Sequence, residues 1–150
     1  MWGVFLILLS QALTIKPIQT PQRDYIRVNW AYYDGVLGLR VRNISDHSIE
    51  ILWEKCLYID PVGREHRVFH KNWGIENHSL VQSPTILKPG EFLTDYVIPS
   101  DYVYWANGWK ITPLFPQKNI WFKGKTIKVL LVIKASEKED SLWYSFTITN

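Results

Sequence analysis

The stretch YIRVNWAYYDGVLGLRVR occupies residues 25–42 and decides the fold of this chain. Apolar and polar residues alternate on both sides of Asp34-Gly35, a dipeptide typical of two-residue hairpin turns. A one-residue slip would turn every side chain of one strand to the other face. With the turn at Asp34-Gly35 the apolar faces coincide, which predicts a hairpin packed on a core through one side. The predicted cross-strand pairs are Tyr32 with Leu37, Trp30 with Leu39, and Val28 with Val41.

The same pattern of short alternating runs and turn dipeptides continues to the end of the chain. Residues 126–134 form the most apolar run, with apolar side chains on both faces, which favours a central strand. Lys55 breaks the alternation of the run that begins at Ile49, so we expect a bulge or a strand end near residues 54–56. About nine or ten short strands and no helix predict a sandwich or barrel.

Length and composition indicate one globular domain. The chain has 150 residues, of which 47% are hydrophobic, and this is enough to bury a core without disulfides. The formal net charge is only +3, and the basic residues are interleaved with acidic ones. We therefore predict no nucleic-acid partner. Cys56 is the only cysteine, which excludes an internal disulfide and indicates an inert, half-buried thiol.

The N-terminus differs in character from the rest. Residues 2–9 are apolar, and Ser10-Gln11-Ala12 has the small-x-small form of a signal peptidase site, although no Lys or Arg precedes the apolar run. The run is shorter than the roughly 20 residues that span a membrane. The alternative is a buried first strand or a hydrophobic helix. We predict a leader at 1–12, an extended lead-in at 13–24 and a single domain at 25–150, with membrane association only through an uncleaved leader.

Two histidines are the candidate metal ligands. His66 and His70 are four residues apart, so on an extended strand they point to the same side and could hold zinc or copper with a third ligand. The alternative is a pair of surface histidines flanking a strand. The spacing does not select the third ligand among Asp60, Glu65, His78 and His47.

Motifs for catalysis do not occur in this sequence. There is no Gly-x-Ser-x-Gly elbow, no phosphate-binding glycine loop and no dinucleotide fingerprint. Asp95 and Asp101 could form a carboxylate pair for sugar hydrolysis, but two aspartates beside a strand more often cap turns. We predict that the protein is not an enzyme and uses no cofactor.

Aromatic residues give the clearest indication of a binding surface, with eight Trp and eight Tyr. Tyr and Trp suit carbohydrate stacking and protein interfaces because each combines an apolar body with a polar group. A two-residue turn at Asn107-Gly108 predicts a second hairpin with one shared face, made of Tyr102, Tyr104, Ala106, Trp109 and Ile111. The alternative is that these residues fill the core. The candidate binding residues are Tyr102, Tyr104, Trp105, Trp109 and, in the loop between Lys118 and Lys123, Trp121.

Two sequence motifs carry a resemblance to a known class of domain. The step Val41-Arg-Asn43-Ile-Ser45 and the later Pro89-Gly90-Glu91 resemble the strand junctions of bacterial exported immunoglobulin-like domains. Residues 53–68 and 113–115 are similar to small bacterial envelope proteins and lipoproteins. The resemblance implies an immunoglobulin-like antiparallel β-sandwich of about eight to ten strands, in the periplasm or at the cell surface. It implies no catalytic residues.

These observations together predict a non-catalytic exported protein with a binding, structural or accessory role in the bacterial envelope. Its partner is expected to be another envelope protein or a glycan. The alternatives are a carbohydrate-binding module that uses the exposed Trp and Tyr side chains, and a periplasmic metal-binding protein that uses His66 and His70.

Overall fold

A computed structural model describes residues 12–150, and this part of the chain contains strands and short 3-10 turns without an α-helix. The strands are β1 (Thr14–Gln19), β2 (Ile26–Tyr33), β3 (Val36–Asn43), β4 (Ile49–Ile51), β5 (Leu57–Ile59), β6 (Glu65–His70), β7 (Thr85–Leu87), β8 (Phe92–Pro99), β9 (Val103–Trp105), β10 (Trp109–Ile111), β11 (Thr126–Ala135) and β12 (Lys138–Thr149). The 3-10 turns are Trp53–Lys55, Lys71–Trp73, Ile75–Asn77, Ser100–Tyr102 and Ile120–Phe122. The all-β prediction is confirmed.

The strands form an antiparallel sandwich of the immunoglobulin-like kind. One layer has the order β2-β3-β8, and the other has β1-β12-β11 with β4 and β5. With β2 as strand A, this places A, B and E in one layer and C, F and G in the other. Strand β6 pairs with β5 through its first half and with β8 through its second half, so it links the two layers.

The strand count differs from the sequence prediction, which was about eight to ten. The run from Ile49 to Ile59 is divided into β4 and β5 by the 3-10 turn Trp53–Lys55, where the sequence predicted an interruption. The lead-in also contributes a strand, because β1 pairs with β12.

The predicted leader falls on residues 1–12, of which 1–11 lie outside the described residues. No helix in the described part of the chain is long and apolar enough to cross a membrane.

The hairpin β2–β3 has the predicted register. Tyr32 lies opposite Leu37, and Trp30 lies opposite Leu39. The turn residues Asp34 and Gly35 have φ values of 51° and 80°, as a turn with two positive φ angles requires. A Cβ on Gly35 would lie 2.6 Å from the Cβ of Pro113, so this position needs glycine for its contacts as well as for its backbone.

The core lies between the two layers. The ring of Trp30 on β2 packs edge-to-face on Tyr144 and Phe146 of β12, with centroids 5.2 and 6.1 Å away. The central position predicted for residues 126–134 is confirmed, because β11 pairs with β12 on one side and with β4 and β5 on the other. Its side chains are buried on both faces, as Leu130 and Val132 show.

The Val41–Ser45 motif closes one end of the sandwich through a buried amide. Asn43 is 0% exposed, and its Nδ2 donates to the carbonyls of His47 and Leu87 at 2.8 and 2.9 Å. Its Oδ1 accepts from the backbone N–H and the hydroxyl of Ser45 at 2.9 and 2.7 Å. The amide therefore ties β3 to the loop after it and to β7.

We expect Asn43→Ala to lower the free energy of unfolding by about 2–4 kcal/mol, because it leaves buried carbonyls without a donor. Urea denaturation followed by tryptophan fluorescence measures this loss. Ser45→Ala is the control, with an expected loss of about 1 kcal/mol since it removes only hydroxyl bonds. An Asn43→Ala protein as stable as Ser45→Ala would contradict this role.

The turn between β11 and β12 is strained. Ser136 and Glu137 have φ values of 51° and 65°, although neither is a residue that readily adopts the left-handed region. These two residues form the whole connection, because β11 ends at Ala135 and β12 begins at Lys138. The long ladder between the two strands holds the turn in this conformation.

Replacing the turn by Asn-Gly (Ser136→Asn with Glu137→Gly) should raise the free energy of unfolding by about 1 kcal/mol, because both residues accept positive φ. Chemical denaturation gives the value. Glu137→Ala is the matched control: it removes the same carboxylate and keeps the strain, so it should give no gain. An equal gain in the free energy of unfolding of Glu137→Ala would show that removal of the carboxylate, and not relief of backbone strain, stabilises the protein.

Candidate functional site

The hairpin β9–β10 carries most of the predicted binding residues and lies outside both layers as a two-stranded sheet of its own. Trp105 lies opposite Trp109, and Tyr104 lies opposite Lys110. The predicted shared face of Tyr102, Tyr104, Ala106, Trp109 and Ile111 is therefore wrong. The turn contains three residues, Ala106 to Gly108, instead of two, so the register shifts by one residue and Tyr104 faces away from Trp109.

The hairpin exposes its large side chains to solvent. Trp105 is 66% exposed, Tyr104 50% and Trp109 40%. The Trp105 and Trp109 rings meet edge-to-face, with centroids 5.2 Å apart and an interplanar angle of 84°. We call Trp105 and Trp109, which lie opposite each other on one face of the hairpin, the aromatic hairpin surface. Its two indoles do not form the coplanar pair that a flat sugar ring requires.

The other two candidates lie elsewhere. Tyr102 is half-buried and packs against the core, in agreement with the alternative that assigned it there. Trp121 is 55% exposed in the turn Ile120–Phe122, where its ring contacts Phe122 and Lys125 Nζ lies 4.2 Å from its centroid. In the described part of the chain no ring contact joins Trp121 to the hairpin. The structure therefore does not bring all five residues together.

A charged triad fixes the base of the hairpin. His66 Nε2 lies 2.8 Å from Asp60 Oδ2, and His66 Nδ1 lies 2.9 Å from Asp101 Oδ2. The ring of Tyr102 packs edge-to-face on His66, with centroids 5.1 Å apart. Asp101 and Tyr102 belong to the 3-10 turn that leads directly into β9. The triad therefore sets where the hairpin leaves the sandwich.

The triad also shifts the pKa values of His66 and Asp60. Burial alone lowers the pKa of His66, but hydrogen bonds to Asp60 and Asp101 outweigh it and raise the pKa above 6.5. Burial alone raises the pKa of Asp60, but the hydrogen bonds from His66 and from backbone N–H groups lower it below 3.8. At pH values between the lowered pKa of Asp60 and the raised pKa of His66, the ring of His66 is an imidazolium that donates to both carboxylates.

His70 has a separate environment. Its Nδ1 lies 2.7 Å from Asp95 Oδ2, and its ring stacks on Trp53 at 4.3 Å and 12°. The two histidines have different partners because β6 changes from β5 to β8 between them. Within residues 12–150 no three His, Cys, Asp or Glu side chains are placed to hold a metal ion.

An arginine that sequence analysis missed supports the hairpin from the other side. Arg67 binds both carboxylate oxygens of Glu54, and it donates to the carbonyl of His78 and the hydroxyl of Ser100 at 2.8 Å each. The His78 ring in turn packs on Trp109, with centroids 5.2 Å apart. No local pattern marks Arg67, since its partners lie 11 to 33 positions away.

Cys56 is 0% exposed, and burial raises its thiol pKa to about 12. A thiol in this state is neither a nucleophile nor a metal ligand at neutral pH.

Comparisons of the chain with protein-family models, curated proteins and solved structures found no match. The candidate site therefore depends on geometry alone.

The triad predicts a pH-dependent contribution to stability. A histidine whose pKa is raised on folding contributes fully below its unfolded pKa, here 6.5, and loses that contribution as pH rises through its folded pKa. We expect His66→Gln to cost about 1–3 kcal/mol near pH 5.5, where Asp60 is ionised, and less at pH 9. Urea unfolding of the unmodified protein and of His66→Gln at several pH values measures the difference in their free energies of unfolding.

His47→Gln is the control for this series. His47 is an exposed histidine that pairs only with its neighbour Asp46. The free energy of unfolding of His47→Gln should equal that of the unmodified protein at every pH. A His66→Gln gap that stays constant from pH 5.5 to 9 would show that His66 stabilises the fold by packing alone.

Proposed function

We propose that this chain is a non-catalytic binding protein, exported to the bacterial envelope, that docks another envelope protein through the aromatic hairpin surface. One observation carries the proposal: Trp105 and Trp109 lie on a hairpin that belongs to neither layer of the sandwich. The core does not need these side chains, and adjoining exposed indoles form the kind of apolar patch that marks an interaction site.

The shape of the surface favours a protein partner over a flat sugar ring. Trp and Tyr dominate the binding energy of protein interfaces because they bury large areas and lose little conformational entropy. Trp105 and Trp109 stand nearly perpendicular, which forms a step that can receive a side chain. Carbohydrate stacking instead uses the flat face of an indole.

The supports beneath the hairpin favour binding by a pre-formed surface. The Asp60–His66–Asp101 triad holds its entry, and His78 contacts Trp109 from the segment that Arg67 fixes. A surface that is already ordered loses less entropy when a partner binds. Rigid presentation is therefore consistent with a docking role.

The histidines also favour binding over catalysis. Both ring nitrogens of His66 contact carboxylates, and its raised pKa favours the protonated form, which cannot accept a proton. His70 is buried under Trp53 with its Nδ1 on Asp95. Neither ring is arranged as a general base toward an open cleft.

The export part of the proposal is supported by the apolar residues 2–9 and by the Ser10-Gln11-Ala12 step, which has the form of a signal peptidase site.

Site-specific photo-crosslinking in cells of the source organism tests the docking surface. A benzophenone amino acid at position 105 or 109, which share one face of the hairpin, should give the same crosslinked protein. The matched control is position 121, which holds an exposed tryptophan away from the hairpin. With the captured partner purified, Trp105→Ala should weaken binding about tenfold or more, and Trp121→Ala should leave it unchanged.

Two outcomes would contradict the proposal. Equal crosslinking from positions 105 and 121 would mean that the hairpin is not a specific surface. Glycan binding that depends on Trp105 and Trp109 would instead support the carbohydrate-binding alternative. Mass spectrometry of the native N-terminus tests export separately, since a cleaved protein begins near Leu13.

A further inference from the structure

The outer face of the β2-β3-β8 layer gathers three arginines from two strands. Arg27 on β2 lies directly opposite Arg42 on β3, and Arg40 is two residues before Arg42 on the same strand. The register places Phe92 of β8 in the same row as Arg42. We call Arg27, Arg40, Arg42 and Phe92 the arginine face.

The fold itself gives no reason for this arrangement. Like charges directly opposite each other on a sheet are destabilising, and the alternating register brings all three guanidinium groups to one side. Among the described residues, none of the three arginines forms an ion pair with a carboxylate. Their charges are therefore available to a ligand.

Two shallow clefts accompany the arginines. One of about 520 Å³ is lined by Arg27, Arg42 and Ser45, and by Gly90 on the loop before β8. A second of about 200 Å³ includes Arg40 with its row neighbours Asn29 and Thr94. Gly38 lowers the floor of the second cleft, since it has no side chain between Ala31 and Tyr96. The face is concave enough to seat an extended chain across the strands.

We infer that the arginine face binds an acidic polysaccharide. Guanidinium groups form bidentate pairs with carboxylate and sulfate oxygens, and three of them on two neighbouring rows of the sheet match a chain with repeated negative charges. Asn29 and Thr94 lie on either side of Arg40 in its row and make no side-chain hydrogen bond to other described residues, so they can bind sugar hydroxyls. This surface is distinct from the aromatic hairpin surface and does not depend on it.

The aromatic rings of this face argue against a single-stranded nucleic acid. Such ligands are held by successive bases that stack on free aromatic rings. Here the Arg40 guanidinium carbon lies 4.6 Å from the Phe92 centroid, and Lys71 Nζ lies 5.1 Å from that of Tyr96. These two rings therefore already carry cations, and the exposed ring of Tyr33 at the edge of the second cleft could stack one base only, whereas the polar groups remain open. This pattern fits a ligand that brings anions and hydroxyls.

Binding of the full chain to labelled heparin and to polygalacturonate at low salt tests the inference, with dextran as the uncharged reference. Heparin supplies sulfate groups as well as carboxylates, whereas polygalacturonate supplies carboxylates only, so binding to polygalacturonate shows that carboxylates suffice and binding to heparin alone shows that sulfates are required. We expect binding to at least one of them, none to dextran, and an affinity that falls as salt rises. The Arg27→Gln, Arg42→Gln double variant should bind about tenfold or more weakly.

The matched control is the Arg64→Gln, Lys128→Gln double variant, which removes the same charge from exposed positions outside the face and should bind like the unmodified protein. Equal losses in the two double variants, or no binding to either acidic probe, would overturn the inference. Tighter binding of a thymidine oligonucleotide with the same arginine dependence would overturn it in favour of a nucleic acid.

Two further measurements keep this test separate from folding and from the hairpin. Thermal melting should show that the Arg27→Gln, Arg42→Gln variant is folded, because it relieves repulsion between exposed charges. Should that variant unfold, Arg40→Gln takes its place with the same expected direction. Trp105→Ala should keep polysaccharide binding. Loss of docking through the aromatic hairpin surface can therefore be distinguished from loss of polysaccharide binding by the arginine face.

Discussion

The division of strand β6 between two layers is the constraint on which the rest of this structure depends. Its first half pairs with β5 and its second half with β8, so consecutive side chains meet different parts of the molecule. His66 holds the entry of the hairpin, Arg67 anchors the segment that contacts Trp109, and His70 lies between Trp53 and Asp95. One short strand thus connects the core to the candidate surface.

The parts of the fold that sequence predicted correctly are those in which local and global requirements agree. In β2–β3 the turn dipeptide and the alternation specify the same register, and Gly35 is required both by its φ and by Pro113. The second hairpin lacks this redundancy. Asn107-Gly108 fits a two-residue or a three-residue turn, and with the hairpin outside the core no buried face selects between them.

The contacts beneath the hairpin were beyond sequence reasoning for a different reason. His66 and Asp101 are 35 positions apart, and the layer switch within β6 brings them together. The arginine face, in contrast, follows from the predicted register, because the pair of Val28 with Val41 also sets Arg27 opposite Arg42. It was overlooked because Val41 separates Arg40 from Arg42 and the turn separates both from Arg27. A search for basic runs finds charges that are adjacent in sequence, whereas a sheet collects charges that are two residues or one strand apart.

The two proposed surfaces differ in chemistry because they have different relations to the core. Every second residue of β2 and β3 is committed to the interior, so the outward positions are free to carry charge without loss of packing. The hairpin β9–β10 has no interior side of its own, so its apolar residues stay exposed and need support from His66 and His78. An ordered layer suits a surface of fixed charges, and a supported hairpin suits an apolar contact. The two proposals therefore assign partners of opposite character to separate parts of one sandwich.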